Sequence, residues 1–366
     1  MQTLAICSSK FKEKYKLETL ELLGEKIYFS LIDYPDINDY KDLDENQVLI
    51  EIIAFSCNYR DKSLIIRMNE ACEEKSESYI YSPFGSEFVG RVIDVGHSVS
   101  SLKKGDRVIT DATYPIRDNK YVRPGIATNH ASQRYHVFHE GHLIKIPDSL
   151  SDEKAASFTI AAQTVYSMLR RLSLNKGDRI LITSATSNTS LAAISALKNK
   201  GYRLFALTTS LDYETQLLEL GVEKVLPFDA LKLERLEDYI NFEKFEAVID
   251  PFFDLHFCDV VSYMRHNSKY ISCGLFNQHP LFKDTLNQNS ESSYANALST
   301  CIGRNISFIG NCLGNRDDLI TALQDFDTGK FDIIIDSVFT GENYIPFLEK
   351  TFHKQKRFGK IIYKYI

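Results

Sequence analysis

The sequence has no tryptophan, no CxxC pair, and no apolar run near the ~20 residues that are needed to span a bilayer. Its first twenty residues lack the long apolar stretch of a secretory signal, so we expect a protein that is not secreted. The seven cysteines are scattered over 366 residues, which favours buried thiols in a reducing cytoplasm. The net charge of −6 and the lack of a basic stripe predict no nucleic-acid partner and no attraction to anionic membranes.

Composition and spacing predict a globular chain of two domains. The chain is 44% apolar and 25% charged, and its length suits two cores. Up to about residue 150, short apolar segments such as Gln47–Phe55 and Arg107–Asp111 are separated by turn residues, which predicts a barrel-like β domain. From Ser151 onward, strands alternate with helices, among them a helix over 155–172 and a short strand at Lys224–Pro227, which predicts a parallel, doubly wound sheet. The polar segment 276–300 is predicted to be irregular, and it is interpreted as plain surface, with a lid or an interface loop as the alternatives.

The most informative stretch, Asp178–Ser210, has the pattern of a strand, a tight loop, a helix and a second strand. Such a unit binds a dinucleotide pyrophosphate at the helix N-terminus. Glycine normally occupies the loop, because the backbone must turn sharply and approach the phosphate closely. Here the loop has no glycine and consists of Ser184, Ala185, Thr186, Ser187, Asn188, Thr189 and Ser190. Three interpretations stay open: a phosphate site, a phosphate site that has decayed, and a plain helix N-cap.

Four segments of the sequence resemble the motifs of a known family. They are FSCNYRDKSLI (55–65), SPFGSEFVGRVIDVGHSVSSLKKGDRVI (82–109), AASFTIAAQTVYSMLRRLSLNKGDRILI (155–182) and RFGKIIY (357–363). In this order, they make the chain similar to the medium-chain dehydrogenase/reductase superfamily, and most similar to its zinc-free quinone-oxidoreductase and enoyl-reductase branch. The resemblance covers the chain from about Asn46 to Ile366.

The resemblance implies an α/β fold with two domains. A GroES-like β-barrel catalytic domain is expected over residues 1–153 and 316–366. A Rossmann dinucleotide-binding domain with a doubly wound parallel sheet is expected over residues 154–315. The family also implies a cleft between the two domains and a homodimer that forms through the edge strand near Ile306–Gly310.

The resemblance also implies that no metal is bound. Zinc-dependent relatives carry a cysteine and a histidine at the positions that Asn58 and Ser86 occupy here. Cys57 is one residue out of register, which on a β-like segment turns its side chain to the other face. Glu87 alone cannot hold a catalytic zinc, which needs three protein ligands. Four nearby histidines are interpreted as solvated or hydrogen-bonded: His130, His136, His139 and His142.

Tyr59 and Asn58 are the predicted catalytic residues. Tyr59 matches the tyrosine that the family places near the nicotinamide, so we expect it to donate a proton or to orient the substrate as negative charge develops on the acceptor. The alternative for Tyr59 is a packed aromatic ring with its hydroxyl in water. Asn58 is expected to form hydrogen bonds nearby, and Arg60 and Asp61 are interpreted as a local ion pair.

The predicted cofactor is NADPH, with NADH as the weaker alternative. NAD enzymes carry a carboxylate at the end of the second strand, where this chain has Thr208, Thr209 and Ser210. Tyr213 replaces a lysine that NADPH-using relatives carry, which weakens the prediction. The loop residues Ser184, Ser187, Asn188, Thr189 and Ser190 are predicted to hold the pyrophosphate. The resemblance implies further cofactor contacts from Thr164, Cys273, Gly274, Asn311 and Lys360.

The resemblance implies a zinc-independent, NAD(P)H-dependent reductase that transfers hydride to an activated C=C bond or a quinone. The substrate is left open between quinones, enoyl compounds, acyl thioesters and dehydroamino acids, such as dehydroalanine in a modified peptide. The partner is therefore a small molecule or a peptide. The alternative is a catalytically inactive family member that acts as a binding or scaffold protein, because the phosphate loop has no glycine.

Overall fold

A computed structural model describes residues 2–40, 42–74, 81–232, 236–278, 291–353 and 356–366. The chain folds into two compact units. Unit 1 comprises Met1–Ile160 and Ile335–Ile366, and unit 2 comprises Ala161–Ile334. Unit 2 is therefore inserted into the sequence of unit 1.

The described residues form strands and helices with the following bounds. The strands are β1 Thr3–Cys7, β2 Glu18–Leu22, β3 Glu25–Ile32, β4 Gln47–Ser56, β5 Tyr81–Pro83, β6 Glu87–Val95, β7 Arg107–Thr110, β8 Tyr135–His139, β9 Leu143–Lys145, β10 Arg179–Ile182, β11 Arg203–Thr208, β12 Lys224–Pro227, β13 Phe245–Asp250, β14 Met264–Ser272, β15 Ser307–Gly310, β16 Ile335–Thr340 and β17 Lys360–Lys364. The α-helices are α1 Asp61–Glu74, α2 Asp152–Ala155, α3 Thr159–Leu172, α4 Asn188–Leu197, α5 Glu214–Glu219, α6 Phe228–Lys232, α7 Leu236–Ile240, α8 Phe253–Val260, α9 Glu291–Arg304, α10 Arg316–Asp327 and α11 Tyr344–Phe352.

Unit 1 is built on two sheets. The smaller has the strand order β2-β3-β1-β5, and the larger has the order β16-β17-β4-β6-β7-β9, with β8 paired to β4. The last strand, β17, runs antiparallel to β4 and parallel to β16, so the end of the chain completes a sheet that begins near residue 47. Phe55, at the end of β4, packs against the rings of Phe84, Phe347 and Tyr363, which places an aromatic core beneath this junction.

Unit 2 contains a six-stranded, entirely parallel sheet. Its order is β12-β11-β10-β13-β14-β15, so the chain winds outward in one direction from β10 and then in the other from β13. This is the order of a Rossmann fold, in which ligands bind at the carboxyl ends of the strands where the winding direction reverses. The prediction of an α/β protein with a doubly wound parallel sheet is confirmed.

The boundaries of the units and of several elements differ from the expected ones. The predicted helix over 155–172 is two helices, α2 and α3, because the chain turns between them. The units divide after residues 160 and 334, compared with the expected 153 and 315. The helix α10 belongs to unit 2 because Asp318 pairs with Arg170 (2.9 Å) and Asp325 accepts a hydrogen bond from Tyr166 (2.7 Å), both on α3.

The predicted irregular segment 276–300 is partly helical, since α9 begins at residue 291. Residues 279–290 lie outside the described residues. Within the described ranges, no helix is both long and apolar enough to cross a membrane. The seven cysteines are all free thiols.

Candidate functional site

The turn between β4 and α1 carries the two predicted catalytic residues. It is closed by reciprocal hydrogen bonds between Asn58 and Asp61: the Asn58 amide donates to Asp61 Oδ2 (2.8 Å), and the Asp61 amide donates to the Asn58 carbonyl (2.9 Å). The Lys62 amide donates to the carbonyl of Tyr59 (3.2 Å). These bonds fix the backbone of the turn, in which Tyr59 is half-buried.

The Asn58 side chain is held by three neighbours. Its Nδ2 donates to Ser86 Oγ (3.0 Å) and to Glu87 Oε1 (2.9 Å), while its Oδ1 accepts from Lys360 Nζ (2.6 Å). Lys360 Nζ also pairs with Glu87 Oε1 at 2.7 Å. Lys360 is only 5% exposed and Glu87 only 1%. A buried ammonium and a buried carboxylate therefore meet at Asn58, and each stabilises the charge of the other.

Other parts of unit 1 hold the two carboxylates of this site. Glu87 Oε2 accepts from the Ile160 amide (3.0 Å), and Ser56 Oγ lies 3.2 Å from Glu87 Oε1. Ser86 Oγ donates to Asp61 Oδ2 (2.6 Å) and accepts from Asn58 Nδ2, which also donates to Glu87, so Ser86 and Asn58 together connect the two carboxylates. Every oxygen of Glu87 and Asp61 therefore has a partner, as buried carboxylates require.

Arg60 provides the charge that balances Asp61. Its Nη1 lies 3.1 Å from Asp61 Oδ1 and donates to Asn129 Oδ1 (3.0 Å). Burial raises the pKa of the Asp61 carboxyl, and the Arg60 guanidinium opposes that increase. The predicted local ion pair of Arg60 and Asp61 is confirmed. We call the connected set Asn58, Arg60, Asp61, Ser86, Glu87 and Lys360 the buried polar network.

The residues around Asn58 do not form a metal-ligand set. Cys57 is buried, and burial raises the pKa of its thiol well above the usual value, so the sulfur is protonated. No group of three His, Cys, Asp or Glu side chains in the described ranges could hold a metal ion. His136 Nε2 lies 3.3 Å from Thr128 Oγ1, and His139 Nδ1 accepts from the Gly141 amide (3.0 Å). The hydrogen-bonded interpretation is confirmed for these two histidines.

In unit 2, the glycine-free loop follows the central strand β10 and leads into α4. Ser184 has a φ of 46°, in the left-handed region that favours glycine, so the chain makes the sharp turn with a serine. Ser187 caps α4 by accepting from the Ser190 amide (3.3 Å), and Ser190 Oγ donates to the Thr183 carbonyl (2.7 Å). The serine hydroxyls therefore brace the loop from within.

The loop leaves backbone donors for an anion. Within the part of the chain that the structure describes, the amides of Asn188 and Thr189 have no hydrogen-bond acceptor, because they begin α4. Asn188 Oδ1 is buried there without a partner. Two unpaired amides at a helix N-terminus, beside a reversal of sheet winding, fit a pyrophosphate group. Ser184, Ser187 and Ser190 belong to the same loop as these amides. That the three serines contact the cofactor stays a prediction.

The segment after β11 has no carboxylate at positions 208–210. Thr208 Oγ1 donates to the Ser210 carbonyl (3.1 Å) and accepts from the Ser210 amide (3.3 Å). Ser210 Oγ accepts from the Asp212 amide (3.2 Å), so both hydroxyls serve the local turn. Thr209 is exposed and Tyr213 is half-buried. Of Thr208, Thr209 and Ser210, Thr209 is the most exposed residue.

Four other predicted cofactor residues also lie in unit 2. Cys273 and Gly274 follow β14 and Asn311 follows β15, so all three stand at the carboxyl edge of the parallel sheet. Burial raises the pKa of the Cys273 thiol to about 12, which keeps it protonated. A Cβ on Gly274 would lie 2.6 Å from the Pro251 carbonyl oxygen, so this position requires glycine. Thr164 is buried in α3.

Asn311 has a structural function in unit 2. Its Oδ1 accepts from Ser167 Oγ (3.0 Å) and Arg171 Nη1 (2.9 Å), and its Nδ2 donates to the Leu313 carbonyl (2.8 Å). These bonds connect α3 to the segment after β15. A contact between Asn311 and a cofactor stays a prediction, as does the predicted cofactor contact of Lys360, which belongs to the buried polar network of unit 1.

Sequence reasoning missed a second buried network, around Asp250 at the end of β13. Asp250 Oδ1 accepts from Thr183 Oγ1 (2.6 Å) and from the Phe252 amide (2.8 Å), and it lies 2.9 Å from His256 Nδ1. The Tyr270 hydroxyl donates a hydrogen bond to Asp250 Oδ2. Burial alone would raise the pKa of Asp250, but His256 and the two hydroxyls hold it below its usual value. The sequence signal that could have indicated this network is an acidic residue, Asp250, at the end of an apolar strand.

Known proteins resemble the chain over different lengths. Residues 44–148 match the alcohol dehydrogenase GroES-like domain. An acryloyl-coenzyme A reductase of Metallosphaera sedula is 25% identical over 293 residues, which cover 76% of this chain and 82% of that protein. A highly reducing polyketide synthase of Aspergillus terreus is 33% identical over 181 residues, or 49% of this chain, but the match spans only 6% of that protein. The crystal structure of an NAD-dependent alcohol dehydrogenase has a TM-score of 0.75 at 18% identity, covering 100% of this chain and 99% of that one.

A GroES-like domain together with a six-stranded Rossmann sheet defines a two-domain class of oxidoreductases. The chain is similar, over different lengths, to members of the medium-chain dehydrogenase/reductase superfamily, and residues 44–148 match a GroES-like domain.

Proposed function

We propose that the protein is a zinc-independent, NADPH-dependent reductase that transfers hydride to an activated C=C bond. The observation that carries this proposal is the pair of unpaired amides, Asn188 and Thr189, at the helix that follows the central strand of a Rossmann sheet. The acryloyl-coenzyme A reductase relative, which aligns with 76% of the chain, supports an enoyl thioester as the acceptor. Quinones and dehydroamino acids remain alternative acceptors of the same chemistry.

In this proposal, unit 2 binds the dinucleotide. The amides of Asn188 and Thr189 would hold the pyrophosphate, and the segment 208–210 would contact the adenosine ribose. NADPH is favoured because this segment has no carboxylate to repel a 2′-phosphate. Arg203 does not provide a cation there, since it begins β11 and pairs with Glu223 at 2.6 Å. The bound cofactor supplies hydride, and all other chemistry belongs to the side chains.

Unit 1 supplies the groups that act on the substrate. Tyr59 is proposed to donate a hydrogen bond, and then a proton, to the acceptor as negative charge develops on it. A fixed donor is effective because it needs no reorganisation when the charge forms. The reciprocal bonds between Asn58 and Asp61 fix the backbone on both sides of Tyr59. The presence of Asn58 and Ser86 at the positions where zinc-dependent relatives carry a cysteine and a histidine supports chemistry without a metal at this site.

The test is to follow NADPH oxidation by the purified protein with a short enoyl thioester, a benzoquinone and a dehydroalanine peptide. We expect turnover with the enoyl thioester and a lower dissociation constant for NADPH than for NADH. The Tyr59→Phe variant should lower kcat by about 100-fold, because general acids contribute ~10²–10⁴-fold, and it should leave the NADPH dissociation constant unchanged. An unchanged kcat would remove Tyr59 from the mechanism.

A catalytically inactive binding protein is the alternative function. The observation in its favour is that the hydroxyls of Ser187 and Ser190 already have protein partners, the Ser190 amide and the Thr183 carbonyl. NADPH binding without turnover of any acceptor would favour this alternative over the reductase. No binding of either dinucleotide would contradict the reductase proposal altogether.

We also propose that the protein is a cytoplasmic homodimer. The edge strand β15 and the helix α9 expose three large apolar side chains, Leu298, Ile302 and Phe308. An exposed edge strand beside apolar side chains suits pairing with a second copy, which would extend the parallel sheet through its edge.

A further inference from the structure

We infer that Lys360 is a positioning residue, whose buried ammonium holds the Asn58 side chain and through it the turn that presents Tyr59. The inference rests on the proposed function in one respect, since Tyr59 is taken as the group that acts on the substrate. It assigns Asn58 and Lys360 to the support of this turn and not to contact with the substrate or the cofactor.

The first step is that Asn58 has no donor left for a ligand. A carboxamide has two N–H donors, and those of Asn58 are directed to Ser86 Oγ (3.0 Å) and Glu87 Oε1 (2.9 Å). Its Oδ1 is occupied by Lys360 Nζ at 2.6 Å. We therefore assign Asn58 to the support of the turn and not to catalysis, because three neighbours fix its side chain.

The second step is that Lys360 cannot move without an electrostatic cost. Its ammonium lies between Asn58 Oδ1 and Glu87 Oε1, and Glu87 is in turn anchored by the Ile160 amide at 3.0 Å. Removing the ammonium alone leaves the Glu87 carboxylate buried without its cation. That charge then competes with Ser86 for the second Nδ2 N–H of Asn58, while Asn58 Oδ1 has lost its donor, so the carboxamide loses its fixed orientation.

The third step is that both the backbone and the side chain of Asn58 hold the turn. The backbone of Asn58 exchanges two hydrogen bonds with Asp61, and Ser86 links the side chains of the same two residues. Tyr59 lies inside this closed ring of bonds. A shift of Asn58 therefore displaces Tyr59, and a displacement near 1 Å is enough to cost a reaction about 100-fold in rate.

The test uses two measurements on the full-length Lys360→Met variant. We expect kcat with NADPH and an enoyl thioester to fall by about 100-fold, while the NADPH dissociation constant stays within about twofold. Amide hydrogen exchange of the peptide that covers residues 56–66 should become at least about tenfold faster, because the bonds to the amides of Asn58, Asp61 and Lys62 weaken.

A matched control is available on the same strand. Lys364 pairs with Glu153 at 2.7 Å and is about one third exposed, so Lys364→Met removes a lysine of β17 without reaching Asn58. We expect its kcat and its exchange over residues 56–66 to match those of the wild type. The double variant Lys360→Met/Glu87→Gln removes both buried charges, and it keeps the test valid if the single variant does not fold.

The outcomes separate the inference from the proposed function. Slow turnover and fast exchange in the double variant support a positioning role for the ammonium. Wild-type kcat or wild-type exchange in the folded double variant overturns it, since Lys360 would then only neutralise Glu87. If the wild-type protein reduces no acceptor, the proposed function fails, and hydrogen exchange alone decides whether Lys360 holds the turn.

Discussion

Asp250 connects three strands of the parallel sheet through its own two carboxylate oxygens. Its partners are Thr183 after β10, His256 on α8 and Tyr270 on β14, and none of these side chains is exposed. Because Thr183 also precedes the glycine-free loop, the carboxylate helps to fix the point from which that loop departs. The residue therefore couples the stability of unit 2 to the geometry of the proposed pyrophosphate site.

We predict that Asp250→Asn destabilises unit 2 by about 3 kcal/mol, because an amide NH₂ would face the hydroxyls that now donate to a carboxylate. Urea unfolding of the variant measures this loss. Asp229→Asn is the control, since Asp229 is exposed at the start of α6 in the same unit. A variant as stable as the wild type would show that the network does not need the charge.

Single residues differ in how far the sequence predicts their function. The Arg60–Asp61 pair was predictable because the partners are neighbours in the chain. The family resemblance singles out Lys360 as a candidate site residue. Its hydrogen bond to Asn58 could not be predicted, because 302 residues separate the two in the sequence. Only the pairing of β17 with β4 brings them together. Long-range contacts between polar residues leave no periodic signal in a sequence, so the buried polar network was not foreseen.

At the scale of elements, the helix α4 and its loop show how a sharp turn is made without glycine. Ser184 adopts a φ of 46°, while Ser187 and Ser190 replace backbone flexibility with hydroxyl hydrogen bonds. Among the described residues, the amides of Asn188 and Thr189 at the start of α4 still have no hydrogen-bond acceptor. The loop is therefore a turn braced by hydroxyl hydrogen bonds that still offers donors for an anion, and its function as a phosphate site stays a prediction.

We predict that Thr189→Asp weakens NADPH binding at least about tenfold, because its carboxylate would lie beside the amides proposed to hold the pyrophosphate. The same charge near a helix N-terminus should leave thermal stability unchanged or slightly increased. Calorimetric titration and thermal unfolding measure the two effects. Thr189→Ser, which keeps the hydroxyl, is the control. Equal affinity in both variants would place the pyrophosphate elsewhere.

Element boundaries were predicted less well than element types. The strand Lys224–Pro227 has the predicted ends, because turn residues and a helix flank it closely. The predicted helix over 155–172 is interrupted, and α10 packs in unit 2, because tertiary contacts decide both features. The ion pair of Arg170 and Asp318 illustrates the point, since 148 residues separate the two partners.

At the scale of the whole molecule, alternation of strands and helices was enough to predict the parallel sheet. After Arg179, the central strand β10 is apolar and buried over Ile180, Leu181 and Ile182, as expected where both faces of a parallel sheet are covered. The presence of a Rossmann domain followed from the family resemblance. The limits of the units did not follow from it, because they depend on which helices pack together.

We predict that Ile302→Asp converts the proposed homodimer to a monomer, since Ile302 is 80% exposed on α9 beside the edge strand. Analytical ultracentrifugation at several protein concentrations measures the change. Ile116→Asp is the matched control, because Ile116 is 78% exposed in unit 1, away from that edge in the sequence. A wild-type protein that sediments as a monomer would contradict the proposal directly.

The distance along the chain between Glu87 and Lys360 has a consequence for the order of synthesis. The two residues are 273 positions apart, so at roughly 5–20 residues per second a ribosome needs roughly 14–55 seconds to make the second after the first. All the strands of unit 2 emerge within that interval, while the larger sheet of unit 1 still lacks its last strand. Unit 2 is therefore synthesised completely before Lys360 is available, and a chain interrupted before residue 360 carries a Glu87 carboxylate without its ammonium partner.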